Sequence, residues 1–204
     1  MNRDALFAQM DDWYAPKLAE HGATAAGVDW NSEASQALRF RQLLRVAEGV
    51  PRCSINDFGC GYGALAAHLE GTDVDYTGFD VSPRMVALAR EQHPERRFTD
   101  RLEDLGPADF TVASGVFNLR FDVPDDAWTA YVHETIATIA ARSRRGFAFN
   151  MLTSWSDPDR MRPDLFYGDP TAFFAHCKRH HAPDVALLHD YGLFEWTILV
   201  RRRA

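Results

Sequence analysis

The sequence predicts an α/β fold: a three-layer sandwich around a seven-stranded, mostly parallel sheet whose last strand is antiparallel. Three observations carry this expectation. Short apolar stretches of strand character alternate with stretches of helical period, the order of βαβ units, which implies helices on both faces of the sheet. The first strand runs straight into Gly59-Cys60-Gly61-Tyr62-Gly63, a glycine-rich strand-to-helix turn. The last two strand candidates, 184–190 and 194–202, are too close in sequence for a helical crossover and so must form an antiparallel hairpin.

The elements follow in order. Leu6, Met10 and Trp13, with Phe7 and Tyr14 beside them, mark an amphipathic N-terminal helix that Pro16 weakens or restarts. Residues 21–33 read as loop. Residues 35–48 read as a helix stopped by Gly49-Val50-Pro51. Strand one is 54–59, followed by an Ala/Leu helix over 62–70 and strand two over 74–80. Ser82-Pro83 is a strong helix start, a capping hydroxyl followed by proline in the first turn, and the helix ends before Pro94. Strands three and four are 96–100 and 108–115. From Pro124 a helix places Trp128, Val132, Thr135, Ile136 and Ile139 on one face. Strand five is 146–152. A helix from Asp169-Pro170 ends near Pro183, with Lys178 and Arg179 suited to its C-terminal dipole, and the hairpin closes the chain.

Composition bounds the function. The 204 residues suffice for one domain with a sizeable core, divided here into an N-terminal helical lid over 1–33 and a core over 34–204. The formal net charge of −7 argues against a general nucleic-acid binder, which gains affinity by neutralising phosphates. No apolar run is long enough to span a bilayer, and no signal-peptide core opens the chain. Cys53, Cys60 and Cys177 are odd in number and lack zinc-type spacing, which implies reduced thiols, a cytoplasmic setting and no metal. His176, Cys177 and His180 share a helix face without a further ligand beside them, and are read as a surface helix.

The glycine turn is the candidate site. In open α/β sheets ligands bind beyond the carboxyl ends of the strands, at the switch in strand order that the first strand borders. Glycines there allow a tight turn and close approach of a ligand. Asp80 ends strand two, 17 residues after Gly63, where a carboxylate can accept both hydroxyls of a ribose. Two details separate the adenosine-containing cofactors. The glycines fall at 59, 61 and 63, with Ala64 where a dinucleotide fingerprint needs its third glycine. Asp57 would repel a pyrophosphate but favour a sulfonium or ammonium, directly or through water.

On these residues the sequence resembles the class I S-adenosylmethionine-dependent methyltransferases, whose fold is Rossmann-like. Residues 55–63, INDFGCGYG, are similar to the first motif of that family, and YTGFDVS, residues 76–82, to the second; FTDRLEDL and ADFTVASGVFN stand where its third and fourth motifs lie. The resemblance covers roughly residues 34–203. It implies S-adenosyl-L-methionine as cofactor, Gly59 and Gly61 against its methionine part with Cys60 packed in the loop, Asp80 on the ribose, Val81 on the adenine, Asp100 on the adenine amine, and Ser114-Gly115 beneath it. Arg39 either pairs with the methionine carboxylate or is a solvated helix residue.

For the methyl acceptor, the long segment 153–170 after strand five, with Trp155, Phe166 and Tyr167, is the expected wall, and Tyr14, Trp30 and Arg39 belong to the lid. Methyl transfer is an in-line displacement that needs a base only if the acceptor carries a proton. His189 is the candidate base, with Asp190 or Tyr167 behind it; alternatively His189 only caps the hairpin. The expectation is a methyltransferase for a small-molecule or sugar-like acceptor. Its rivals are a non-catalytic module that binds S-adenosylmethionine and an NAD-dependent oxidoreductase; the latter lacks a recognisable Tyr-x-x-x-Lys.

Overall fold

The computed structural model describes residues 2–28, 30 and 32–203. Seven strands form one sheet in the order β3-β2-β1-β4-β5-β7-β6. They are β1 Cys53–Phe58, β2 Val74–Phe79, β3 Arg97–Thr99, β4 Ala108–Ala113, β5 Ser143–Leu152, β6 Asp184–Leu188 and β7 Glu195–Arg201. The first five pair in parallel, whereas β7 runs antiparallel to both β5 and β6. The expected sheet and its reversed last strand are therefore present. Strand order switches between β1, which continues outward to β2, and β4, so the carboxyl end of β1 borders the crevice.

The helices are α1 Arg3–His21, α2 Glu33–Leu44, α3 Ala64–His68, α4 Pro83–Gln92, α5 Asp125–Ala141 and α6 Pro170–His180. Ser82 caps α4 by accepting from Met85 N, and Asp169 caps α6 by accepting from Thr171 N and Ala172 N. α1 runs unbroken through Pro16, so the proline does not restart it. Pro16 and Asp12, the residue four earlier whose carbonyl loses its partner, are both exposed, so the free carbonyl is open to solvent rather than buried.

Two cores lie on the two faces of the sheet. Phe40, Leu43, Ile55, Val86, Phe110 and Ala148 belong to one, beneath α2, α3 and α4. Leu6, Trp128, Ile136, Phe149, Phe173 and Trp196 belong to the other, beneath α5 and α6. The expectation that helices cover both faces fails at one corner. Between β3 and β4 the chain has only residues 100–107, with one 3₁₀ turn at Leu102–Asp104 in place of a helix. The face of β1 and β2 that such a helix would cover is accordingly polar. Ser54, Asn56, Asp75 and Thr77 line a groove there with Arg97 and Arg144.

Candidate active site

At the carboxyl edge of the sheet the chain after β1 turns through Gly59, Gly61 and Gly63, with φ of +81°, +53° and +91°. An L side chain rarely adopts these values, and the three positions need glycine for different reasons. A Cβ on Gly59 would overlap Val116, and one on Gly63 would lie 2.8 Å from the His93 ring. On Gly61 it would meet nothing nearer than Val28 Cγ1 at 3.9 Å. Gly61 therefore borders open space, and a side chain there would enter the cavity it lines.

That cavity, about 160 Å³, brings together most of the expected cofactor residues: Asp57, Gly59, Cys60, Gly61, Asp80, Val81 and Ser114. Asp80 accepts from Gly61 N at 2.8 Å and from Ser82 N at 2.9 Å, which ties the glycine turn to the end of β2. Burial nonetheless raises its pKa above the usual carboxylate range. Asp57 is buried and accepts from the Tyr76 hydroxyl at 2.9 Å. Desolvation pushes its pKa up to about 7, against the lowering effect of that hydrogen bond, and nearby Asp80 adds to the rise. The Cys60 thiol is pushed up by burial and by the same two carboxylates, so it stays protonated. The Ser114 hydroxyl is buried with no hydrogen-bond partner.

Phe7, Met10, Asp11 and Tyr14 of α1 line the cavity. The Ser82 hydroxyl donates to Asp11, and Arg84 reaches the same carboxylate at 3.3 Å, which fastens α1 to the start of α4.

Several expected residues lie elsewhere. Asp100 follows β3 at the same edge but does not line the cavity. Arg39 is neither solvated nor at the cofactor cavity. It is buried on α2, its Nε donates to both Glu195 carboxylate oxygens at 2.8 Å, and its guanidinium lies 4.1 Å from the centre of the Trp30 ring. His189 and Asp190 are exposed and line neither this cavity nor its neighbour. The hairpin turn does reach the carboxyl edge, but the order β5-β7-β6 puts β6 at the far rim of the sheet. Tyr167 lines the neighbouring cavity, where its hydroxyl accepts from Arg162 N at 2.9 Å. Trp155 is 74% exposed, so Phe166, which is buried, anchors the long segment after β5 instead.

The neighbouring cavity, about 330 Å³, shares Tyr14, Val28, Trp30, Gly115 and Leu119 with the first. Behind it runs a buried chain of bonds that sequence reasoning missed. Glu195 holds Arg39 and accepts from Asn150 Nδ2 at 3.0 Å, while Asn150 Oδ1 accepts from Gly115 N at 2.7 Å. The residues come from α2, β7, β5 and the turn after β4, and no local motif joins them.

Four of the eight histidines form a cluster away from these cavities. His133 of α5 stacks on His176 of α6 with ring centres 3.8 Å apart, and His180 and His181 flank it. Burial and the neighbouring histidines lower the His176 pKa to about 4. Among the described residues no group of His, Cys, Asp and Glu could hold a metal ion, and no helix is long and apolar enough to cross a membrane.

A Rossmann-like sheet with its last strand reversed, and a glycine turn facing buried carboxylates, are the features expected of a methyltransferase. Known proteins agree. A family model described as "Methyltransferase domain" matches residues 56–141. "Putative methyltransferase Rv1506c" of Mycobacterium tuberculosis is 49% identical over 166 residues, 78% of this chain and 99% of the relative. Among solved structures, magnesium protoporphyrin IX methyltransferase (ChlM) from Synechocystis PCC 6803 with bound SAH superposes with a TM-score of 0.66. It is 13% identical and covers 98% of this chain and 100% of its own. The DhpI-SAH complex gives a TM-score of 0.60 at 19% identity, covering 96% of each chain. The chain belongs to the class I S-adenosylmethionine-dependent methyltransferases.

Proposed function

We propose that the chain methylates a small-molecule acceptor by in-line transfer from S-adenosylmethionine bound in the first cavity. The observation that carries this reading is the charge of that cavity: among the described residues its lining includes Asp11, Asp57 and Asp80 and no lysine or arginine. Such a wall suits a cationic sulfonium and ammonium and repels a pyrophosphate, which disfavours a dinucleotide. The open space at Gly61 and the unpartnered Ser114 hydroxyl fit a polar ligand against the turn.

In this reading Asp80 holds the ribose, Val81 packs on the adenine, and Gly59 and Gly61 leave room for the methionine portion. Asp57 faces the positive charge, and its own charge is completed when that charge arrives. The bound cofactor supplies an activated methyl group. The chain's part is to align donor and acceptor and to exclude water beneath α1. His189 and Asp190 are exposed outside both cavities and take no part in the transfer, and an acceptor that is already deprotonated needs no base. Arg39 acts on the acceptor side through the Glu195 pair. The three cysteines are buried and unpaired, which supports a reducing, cytoplasmic setting.

Replacing Asp80 with Ala removes charge-assisted hydrogen bonds worth about 1.5–3 kcal/mol, so affinity for S-adenosylhomocysteine should fall at least about tenfold. Calorimetric titration measures this. Equal affinity in the variant would remove Asp80 from the ribose. Label appearing in no product, when methyl-labelled cofactor is incubated with broad metabolite pools, would favour a binding module over an enzyme.

A further inference from the structure

The two adjoining cavities carry opposite charge. Beside the acidic cofactor cavity, the second is lined by Arg39, Arg160 and Arg162, with Glu195 as its acidic residue. Glu195 is already committed to Arg39 and Asn150. Among the described residues that line it, three arginines stand against one carboxylate, and Arg162 is oriented by Asp164, which accepts from its Nε and Nη2. Asp157 and Asp164, the loop partners of Arg160 and Arg162, stand outside the lining. The Arg160–Asp157 pair is loose, at 3.8 Å between exposed side chains, and such pairs contribute little. Arg39 Nη1 is buried with no hydrogen-bond partner. The rings of Trp13, Tyr14, Trp30, Tyr167 and Phe194 give the wall its aromatic character.

We infer that the second cavity holds the methyl acceptor, and that the acceptor is a small molecule with an apolar or aromatic body and an oxyanion, carboxylate or phosphate, gripped by Arg160 and Arg162. This rests on the first cavity being the cofactor site. Guanidinium groups bind both oxyanions through paired N–H donors. The shared wall at Tyr14, Trp30 and Gly115 puts the two ligands in contact range across one boundary. In the transfer, a lone pair on a second atom of the acceptor forms the bond to the methyl carbon as the carbon–sulfur bond breaks. The sulfur leaves with that electron pair as neutral S-adenosylhomocysteine, and any proton on the acceptor atom stays on the methylated product until it reaches solvent. The oxyanion stays bound to arginine and is not the atom methylated.

The test uses the full chain. S-adenosylhomocysteine affinity is measured first, and then benzoate, phenyl phosphate and the neutral isostere benzamide are titrated into the loaded protein by ligand-observed NMR. One of the anions is expected to bind at least about tenfold more tightly than benzamide, the loss of one charge-assisted contact. Benzoate ahead of phenyl phosphate assigns a carboxylate acceptor, and the reverse order assigns a phosphate. The double variant Arg160→Gln/Arg162→Gln should lose this preference while keeping its S-adenosylhomocysteine affinity. Benzamide binding as well as both anions, an unchanged double variant, or no anion binding at tens of millimolar would overturn the inference. Failure of S-adenosylhomocysteine to bind the wild type would instead overturn the cofactor site, and the anion titrations, repeated on the unloaded protein, would still read the arginines.

Discussion

Glu195→Ala should destabilise the protein by about 3–5 kcal/mol, the largest effect we expect from a single substitution. Glu195 is 2% exposed and Arg39 5%, so removing the carboxylate strands a guanidinium that water cannot reach. Arg39 already has one nitrogen without a partner, and the variant would leave the others in the same state. Asn150 would also lose the acceptor for its amide N–H, loosening its grip on Gly115 N at the boundary of the two cavities. The cost comes from breaking the pair rather than from its net worth. The double variant Arg39→Met/Glu195→Leu should therefore recover most of the stability in urea denaturation. If Glu195→Ala unfolds at the wild-type midpoint, the pair is not buried in solution.

Asp57→Asn should do the opposite, raising stability while weakening cofactor binding. The Asp57 carboxyl has a pKa of about 7 in the folded chain against 3.8 for an ordinary aspartate. With the folded value raised, its contribution is full below about pH 4 and is lost as pH rises through 7. The loss above pH 7 is at most about 4 kcal/mol by linkage. Asparagine cannot ionise and can still accept from the Tyr76 hydroxyl, so it escapes that loss. Thermal melts at pH 8 should shift upward by several degrees, while at pH 4 wild type and variant should melt together. Cofactor binding reads the same group from the other side. A cation at the turn favours the ionised carboxylate, so wild-type affinity should climb from pH 6 to about 7 and then level off. Binding below pH 7 should release a proton. The asparagine variant should show neither effect. An aspartate that melts like asparagine at every pH would show that Asp57 is not held in a desolvated site.

The two substitutions also mark what the sequence could disclose. Asp57, the alternating glycines and Asp80 are legible because one strand, one turn and one following strand fix their relation within 24 residues, 57–80. The strands themselves were legible from apolar runs between turn residues. Arg39 and Glu195 lie 156 positions apart, and their meeting depends on α2 packing across β5 and β7. Read alone, Arg39 was either a partner for the methionine carboxylate or a solvated helix arginine, and nothing near Glu195 in the sequence linked the two. The position of His189, outside both cavities, has a related cause. The reversed β7 was foreseen, but not that it would insert between β5 and β6 and carry the hairpin turn out to the rim. The absent helix between β3 and β4 did leave a signal, since residues 100–107 are too few for a turn, a helix and a return. Polar Ser54 and Asn56, alternating with apolar Cys53 and Ile55, agree with an uncovered face.

The central claim is that the Gly59–Gly63 turn is shaped by the molecule it holds. Titrating S-adenosylhomocysteine calorimetrically into the wild type and into Gly61→Val tests it most directly. At φ +53° a branched residue is strained by roughly 1–2 kcal/mol, yet its Cβ meets no neighbour within 3.4 Å, so the variant should fold. We predict one-to-one binding by the wild type and no detectable heat from Gly61→Val with an unchanged circular dichroism spectrum. A folded Gly61→Val that binds as tightly as the wild type would contradict the account.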